Sequence, residues 1–250
     1  MKDRAPFSRS PLLTLKDLRP AVFLERKNRF VAVVEMDGCR ERVHVADPGR
    51  LRELLYPGNA ILVRRAERAS GRKTLWSLMA GMGENGWVLL NTFLHRRIAE
   101  NLLQDPSISP FGKLAAMRAE VTPSGCSSRF DFMLRPEGGE RVWLEVKGCT
   151  LRKGALALFP DAPTTRGARH LRELGALAGK GEICAVMFLV FPEGVQCFAP
   201  NEEMDPDFSM AFRNAVASGV SVHPVGLSFD GSRVVWQGTI PLCEDRSRTL

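Results

Sequence analysis

The sequence predicts two domains, a small all-β barrel over residues 1–90 and a layered α/β unit over residues 91–250. Three observations carry that expectation. The first third of the chain alternates short apolar runs with turn dipeptides, and the remainder interleaves helical periodicity with strand patterns. Charge is also divided: residues 1–90 hold 17 Lys+Arg against 10 Asp+Glu, whereas residues 91–250 hold 18 of each. Finally, 250 residues suffice for one large domain or two small ones.

In the first part, "RFVAVVEMDG" (29–38) reads as a strand ending in an Asp37-Gly38 turn, with "RERVHVA" (40–46) as its hairpin partner. Asp47-Pro48-Gly49 turns, "RLRELL" predicts a helical turn or two, and Tyr56-Pro57-Gly58-Asn59 leads into the strand "AILVRRAE". "TLWSLMAG" and "WVLLN" complete about five strands with one short helix, a small barrel of the OB-fold type.

The second part opens with "TFLHRRIAENLL", whose Phe93, Leu94, Ile98 and Leu102 recur at helical spacing. Strands are expected at "AEVTP", "SRFDFMLRP" and "VWLEVKGCTL". Thr164 or Thr165 caps a helix running to about Ala178. The apolar run "CAVMFLVF" (184–191) fits a central strand and is too short to span a bilayer. A strand near "VQCFAP", a helix near 205–218, the strand "VSVHPVGLSF" and a frayed tail of eight residues follow.

Composition is that of an ordinary soluble protein, with 44% hydrophobic and 25% charged residues. The net charge of +7 lies wholly in the first part, which suits a polyanionic partner or merely a solubilising surface. The N-terminus lacks the apolar core of a secretory signal. Six scattered cysteines without a CxxC pair point to reduced, buried thiols, hence to the cytoplasm, over disulfides or zinc. The four histidines form no HExxH cluster.

The chemistry concentrates in "RVWLEVKGC" (141–149). Strand alternation puts Trp143, Glu145 and Lys147 on one face and Val142, Leu144 and Val146 on the other. An acid and a base on a buried strand need each other, a metal or a polar ligand. In the preceding strand, Phe130 and Phe132 are expected to share a face and leave Asp131 on the other, beside Glu145. Two converging carboxylates suit a hard cation, Mg²⁺ or Mn²⁺, with Lys147 steering or activating a water or neutralising charge on a phosphate. A surface ion pair is the alternative. Glu25-Arg26-Lys27, with Asp17 upstream, repeats the Glu-x-Lys pattern, but its charged surroundings predict an exposed basic turn. Arg166, Arg169 and His170 fall on one helical face, with Leu171, Leu174 and Leu177 turned to the sheet; the arginines could hold a phosphate or be solvated.

"SRFDF", "EVKGCTL", "FPDAPTTRGARHLREL" and "HVADPGRLRELLYPGN" together resemble the sugar fermentation stimulation protein A (SfsA) family, from about Phe23 to Val225. The resemblance implies an OB-fold joined to a PD-(D/E)XK nuclease-like domain. It would make Asp131, Glu145 and the Val146 carbonyl metal ligands, Lys147 the catalytic lysine, and Glu120 a further ligand or water-orienting group. On residue chemistry, His44 and Asp47 are expected to be structural, and Arg26, Arg29 and Arg50 to track a phosphate backbone. Phe30, Tyr56, Trp76 and Trp87 are the few aromatics available for stacking, so strong base readout is not expected. The expected partner is DNA, with RNA as the alternative, and no membrane; a homodimer is left open. A metal-dependent nuclease, a non-enzymatic DNA-binding regulator related to sugar metabolism and a receptor for a small phosphorylated molecule are the competing functions.

Overall fold

The computed structural model of the chain describes residues 10–66 and 74–244. Its strands begin with β1 (Leu13–Thr14), β2 (Leu18–Asn28), β3 (Val31–Met36), β4 (Cys39–His44), β5 (Ala60–Arg65), β6 (Trp76–Gly83) and β7 (Gly86–Leu89). Strands β2 to β6 lie in the order β4-β3-β2-β5-β6, and a short parallel pairing of Val43 with Trp76 and His44 with Ser77 closes them into a barrel. Closure removes the exposed strand edges. Ala32, Val34 and Met36 alternate inward from β3 and meet Val43, Ile61, Val63 and Leu78. The β3–β4 hairpin turns through Asp37 and Gly38, both with positive φ (52° and 75°), the backbone that a tight two-residue hairpin demands.

Two barrel expectations need correction. Glu25, Arg26 and Lys27 belong to the long strand β2 and not to a turn; Glu25 and Lys27 lie on its exposed flank, and the half-buried Arg26 points the other way. "RLRELL" forms turns and not a helix, because Leu51 adopts φ 51° and its N–H donates to Asp161 Oδ2, far along the chain. That tertiary bond overrides the local helical spacing.

A 3₁₀ turn at Thr92–Leu94 leads into α1 (His95–Gln104). Then come β8 (Leu114–Val121), β9 (Phe130–Pro136), β10 (Val142–Cys149), β11 (Leu151–Lys153) and β12 (Leu156–Phe159). α2 (Thr165–Ala178), β13 (Ile183–Val190), β14 (Cys197–Pro200), α3 (Pro206–Ala217), β15 (Ser221–Phe229) and β16 (Arg233–Thr239) complete the chain. The central sheet runs β8-β9-β10-β13-β15, with β10, β13 and β15 mutually parallel. Parallel strands are covered on both faces, which is why β13 is an unbroken apolar run. On one face α2 and α3 pack on Trp143, Val186 and Phe188. On the other, Ile98 and Leu102 of α1 pack on Val142, Leu144 and Met187 within the apolar cluster that also fills the barrel. The two domains therefore share a core, and β7 extends the sheet across their junction through a single pairing of Trp87 with Phe229.

Both helix starts meet at Asp205. Its Oδ1 caps α3 by accepting from Phe208 N at 2.9 Å, and its Oδ2 accepts from Thr164 N at 2.7 Å. Thr164 caps α2 in turn, accepting from Gly167 N. The helices lie so close that a Cβ on Gly175 would stand 3.3 Å from the Ala215 Cα.

Further expectations are revised here. Phe93 is 67% exposed and lies outside the buried stripe of α1, whereas Ile98 and Leu102 are buried as expected, with Ala99 and Leu103 beside them. Phe130 and Phe132 fall in different cores, Phe130 with α2 and Phe132 with α1, and across from Asp131 between them Glu120 adopts φ 57°. Cys197 and Cys243 form a disulfide, contrary to the expectation of thiols throughout, since the C-terminal segment lies along β14. Cys149 and Cys184 are the buried free thiols, and Cys39 is exposed. The tail expected over the last eight residues is thus anchored at Cys243, and residues 245–250 lie outside the described chain.

Candidate metal and catalytic site

The β9–β10 ladder pairs Val142 with Leu134, Trp143 with Met133 and Leu144 with Phe132, then stops. One step further on, the Val146 N–H donates to Asp131 Oδ2 at 2.7 Å, a side-chain oxygen replacing a backbone acceptor. The strands part there, and Asp131 and Glu145 face each other on the side covered by α2. Glu145 is buried, and one of its oxygens, Oε1, is shared by Lys147 Nζ and His170 Nδ1, the latter at 2.5 Å. Its other oxygen, Oε2, is buried without a hydrogen-bond partner.

His170 belongs to the buried stripe of α2, one turn before Leu174, and not to the exposed face with Arg166 and Arg169. The Arg166 Nε donates to His170 Nε2 at 3.4 Å, which leaves the ring proton on Nδ1 facing Glu145. Phe130 packs edge-on against the same imidazole, 5.9 Å between centroids. An exposed arginine is thereby connected to a buried carboxylate.

Burial and the facing charge of Glu145 push the Asp131 carboxyl up to about 7. Burial pushes Glu145 the same way, but Lys147 and the hydrogen bond from His170 outweigh it and hold Glu145 below the usual carboxylate range. One carboxylate of the pair is therefore kept ionised and the other is poised near neutrality. A cation between them would relieve both the repulsion and the unpartnered Glu145 Oε2.

Among the described residues, no group of three or more His, Cys, Asp or Glu side chains is placed to hold a metal. An ion at Asp131 and Glu145 would need the Val146 carbonyl, water or a phosphate oxygen to complete its shell, which is how Mg²⁺ is commonly held. On these observations the residues fit a hard divalent cation.

Glu120 stands across from Asp131 in the β8–β9 register. Its exposed carboxylate is taken by Arg129 at 2.9 Å and Arg96 at 3.6 Å. Arg26 is likewise engaged internally: its guanidinium donates to the carbonyls of Gly49, Arg50, Arg29 and Asp47 at 2.6–3.0 Å. The expected phosphate contact is thus a clamp on the Asp47-Pro48-Gly49 loop. Arg29, Arg50, Arg166 and Arg169 remain exposed.

That loop bounds a cleft of about 500 Å³ between the barrel and the α/β domain, lined also by Arg29, His95, Val146, Lys147, Asp161 and Arg166. Asp47 accepts from Gly49 N at 2.7 Å, and burial pushes its carboxyl up to about 6. Asp47 thus braces its own turn, and that turn forms a wall of the cleft. Asp161 and His95 went unrecognised in the sequence as parts of this cleft. Asp161 belongs to the "FPDAPTTRGARHLREL" motif, whereas His95 carries no signal beyond its place on a helix.

The fold and site define a class: an OB barrel joined to an α/β domain, with a buried acid–acid–lysine cluster beside their junction. Comparison gives the particular family. A model described as "SfsA N-terminal OB domain" matches residues 24–90, and one described as "Sugar fermentation stimulation protein RE domain" matches residues 93–233. A sugar fermentation stimulation protein homolog from Methanococcoides burtonii is 40% identical over 238 residues, covering 92% of this chain and 94% of that one. The homolog from Methanothermobacter thermautotrophicus is 44% identical over 208 residues, covering 83% and 85%. Pyrococcus furiosus SfsA, solved in complex with Ca²⁺, superposes with a TM-score of 0.82 at 27% identity, covering 94% of this chain and all of that one. The chain belongs to the SfsA family.

Proposed function

We propose that the protein binds DNA and hydrolyses a phosphodiester bond at Asp131, Glu145 and Lys147 with Mg²⁺ or Mn²⁺, as a nuclease of the PD-(D/E)XK type. The observation that carries this reading is the buried Glu145, with one unpartnered oxygen, facing an Asp131 whose carboxyl is pushed up to about 7, and with Lys147 alongside. Asp131, Glu145 and the Val146 carbonyl would hold the ion. When bound, it supplies Lewis acidity toward a phosphoryl oxygen and lowers the pKa of a water. The solved P. furiosus relative is a complex with Ca²⁺, another hard cation that prefers oxygen ligands.

The chain's own groups have distinct parts. Lys147 offsets negative charge developing on the phosphate. His170 holds Glu145 in place, its proton on Nδ1, and Arg166 connects that imidazole to the cleft where a phosphate would sit. Arg29, Arg50, Arg166 and Arg169 supply cationic contacts to the backbone. Glu120 and Arg26 support the surrounding surface and loop.

The test is cleavage of labelled DNA with Mg²⁺, with Mn²⁺ and with chelator, comparing wild type with Lys147→Ala. Cutting that requires metal and disappears in the variant, with DNA affinity nearly unchanged, is the expected result. Binding without cutting under every condition would favour a DNA-binding regulator on a nuclease-like scaffold.

A further inference from the structure

We infer that the cleft between the domains receives an unpaired strand of DNA, its bases stacking at the rim and its phosphates on Arg29 and Arg166. This deepens the reading above, on which it rests, by naming the substrate class.

Size comes first. A space of about 500 Å³ suits an occupant the size of a nucleotide. A volume of that size is too small to enclose a segment of duplex. The site chemistry borders this space, since Lys147 and Val146 line it.

Charge comes next. The two acids in the walls are turned into the protein: Asp47 accepts from Gly49 N at 2.7 Å and Asp161 from Leu51 N at 3.1 Å. Arg29 and Arg166 are exposed on opposite walls. An anionic chain threaded between them meets cations on both sides.

The rim is aromatic. Phe30 is 51% exposed and Phe93 is 67% exposed. Each follows a residue that lines the cleft, Arg29 and Thr92. One loop holds both segments together: Val45 N donates to the Phe30 carbonyl at 2.9 Å, and the Thr92 hydroxyl donates to the Ala46 carbonyl at 3.1 Å. Phe93 is set nearly parallel to His44, with rings 6.0 Å apart and 5° from coplanar. Large apolar rings left in water beside a cationic channel are what base stacking uses, and stacking needs a base face that a duplex hides.

A fourth observation points to a ligand inside the cleft. The His95 ring occupies the space over Gly148 that a Cβ would fill, and its Nε2 is buried with no hydrogen-bond partner. His95 lines the cleft together with Lys147 and stacks on Phe191, rings 5.3 Å apart, so a small turn of the ring would bring that nitrogen to a base or sugar edge.

The experiment measures the affinity of the full-length protein for labelled oligonucleotides by fluorescence anisotropy, in chelator so that nothing is cut. Single-stranded DNA, the matching duplex and single-stranded RNA are compared, using wild type, Phe93→Ala and Phe93→Trp. Single strands should bind at least about tenfold more tightly than duplex, Phe93→Ala should lose about tenfold of that affinity, and Phe93→Trp should restore it. Equal or tighter duplex binding, or indifference to Phe93→Ala, overturns the inference. A clear preference for RNA overturns the assignment to DNA. Metal-dependent cutting of the duplex by wild type and not by Lys147→Ala, measured alongside, would leave the catalytic reading standing if the cleft inference fails.

Discussion

Glu25-Arg26-Lys27 and Glu145-Val146-Lys147 are the same local pattern in two places, and both form the Glu–Lys ion pair that the pattern predicts. In the first, the Lys and Glu side chains are 52% and 50% exposed; in the second they are 14% and 4% exposed. On the barrel surface the pair is solvated and contributes little. Between β9 and α2 it adjoins a second carboxylate, a buried histidine and a cleft, so its charges must be matched by neighbours. The tripeptide alone does not specify a site; its surroundings do, since Glu145 is buried against His170 of α2 while β2 leaves Glu25 and Lys27 on its exposed flank.

The contrast is broken most sharply by removing each lysine. Lys147→Ala should lower metal-dependent cleavage on the order of a thousandfold, and Lys27→Ala should leave the rate unchanged. Comparable losses from both would erase the distinction.

A smaller effect is expected at the centre of the surface tripeptide, where the functional residue of that stretch lies. Arg26→Ala removes charged donors from four carbonyls and should destabilise the fold by about 3 kcal/mol in denaturant titration. Arg29→Ala should cost almost nothing in stability while flattening the salt dependence of DNA binding by roughly one unit of slope. A neutral Arg26→Ala would mean that the loop does not depend on the clamp.

Two histidines repeat the comparison. His170 is buried with partners on both nitrogens, whereas His95 is held at about 4 by burial. Its folded value lies below the unfolded one, so the stability it confers is fully present above about pH 6.5 and is lost as pH falls toward 4. The loss amounts to about 3 kcal/mol, and His95→Phe should remove that share of the acid sensitivity. An unchanged pH profile for stability would show that His95 titrates normally. The smallest effect belongs to the exposed pair: Glu25→Gln should shift stability by no more than about 0.5 kcal/mol.

Much of this was legible because it is local. Alternation in 142–147 placed Glu145 opposite to Leu144, Thr164 announced the start of α2, and regularly spaced turns in the first part announced the barrel. The features that sequence reasoning missed depend on approach between distant segments. The sequence presents Arg26 as a free cation, because the four carbonyls that occupy it come from residues up to 24 positions away. Helical spacing in "RLRELL" gave way to a bond from Asp161, 110 residues along the chain. Cys197 and Cys243 are 46 residues apart, with no spacing signature to join them. The sequence groups His170 with the arginines, because a helix face at i, i+3 and i+4 does not reveal which edge of the stripe meets the sheet.

Diffraction from Mn²⁺-soaked crystals, collected for anomalous signal, tests the central contrast most directly. The account predicts a peak contacted by Asp131, by Glu145 through Oε2 and by the Val146 carbonyl, with none beside Glu25. A peak elsewhere, or an ordered site with Asp131 and Glu145 free of metal at saturating Mn²⁺, would contradict it.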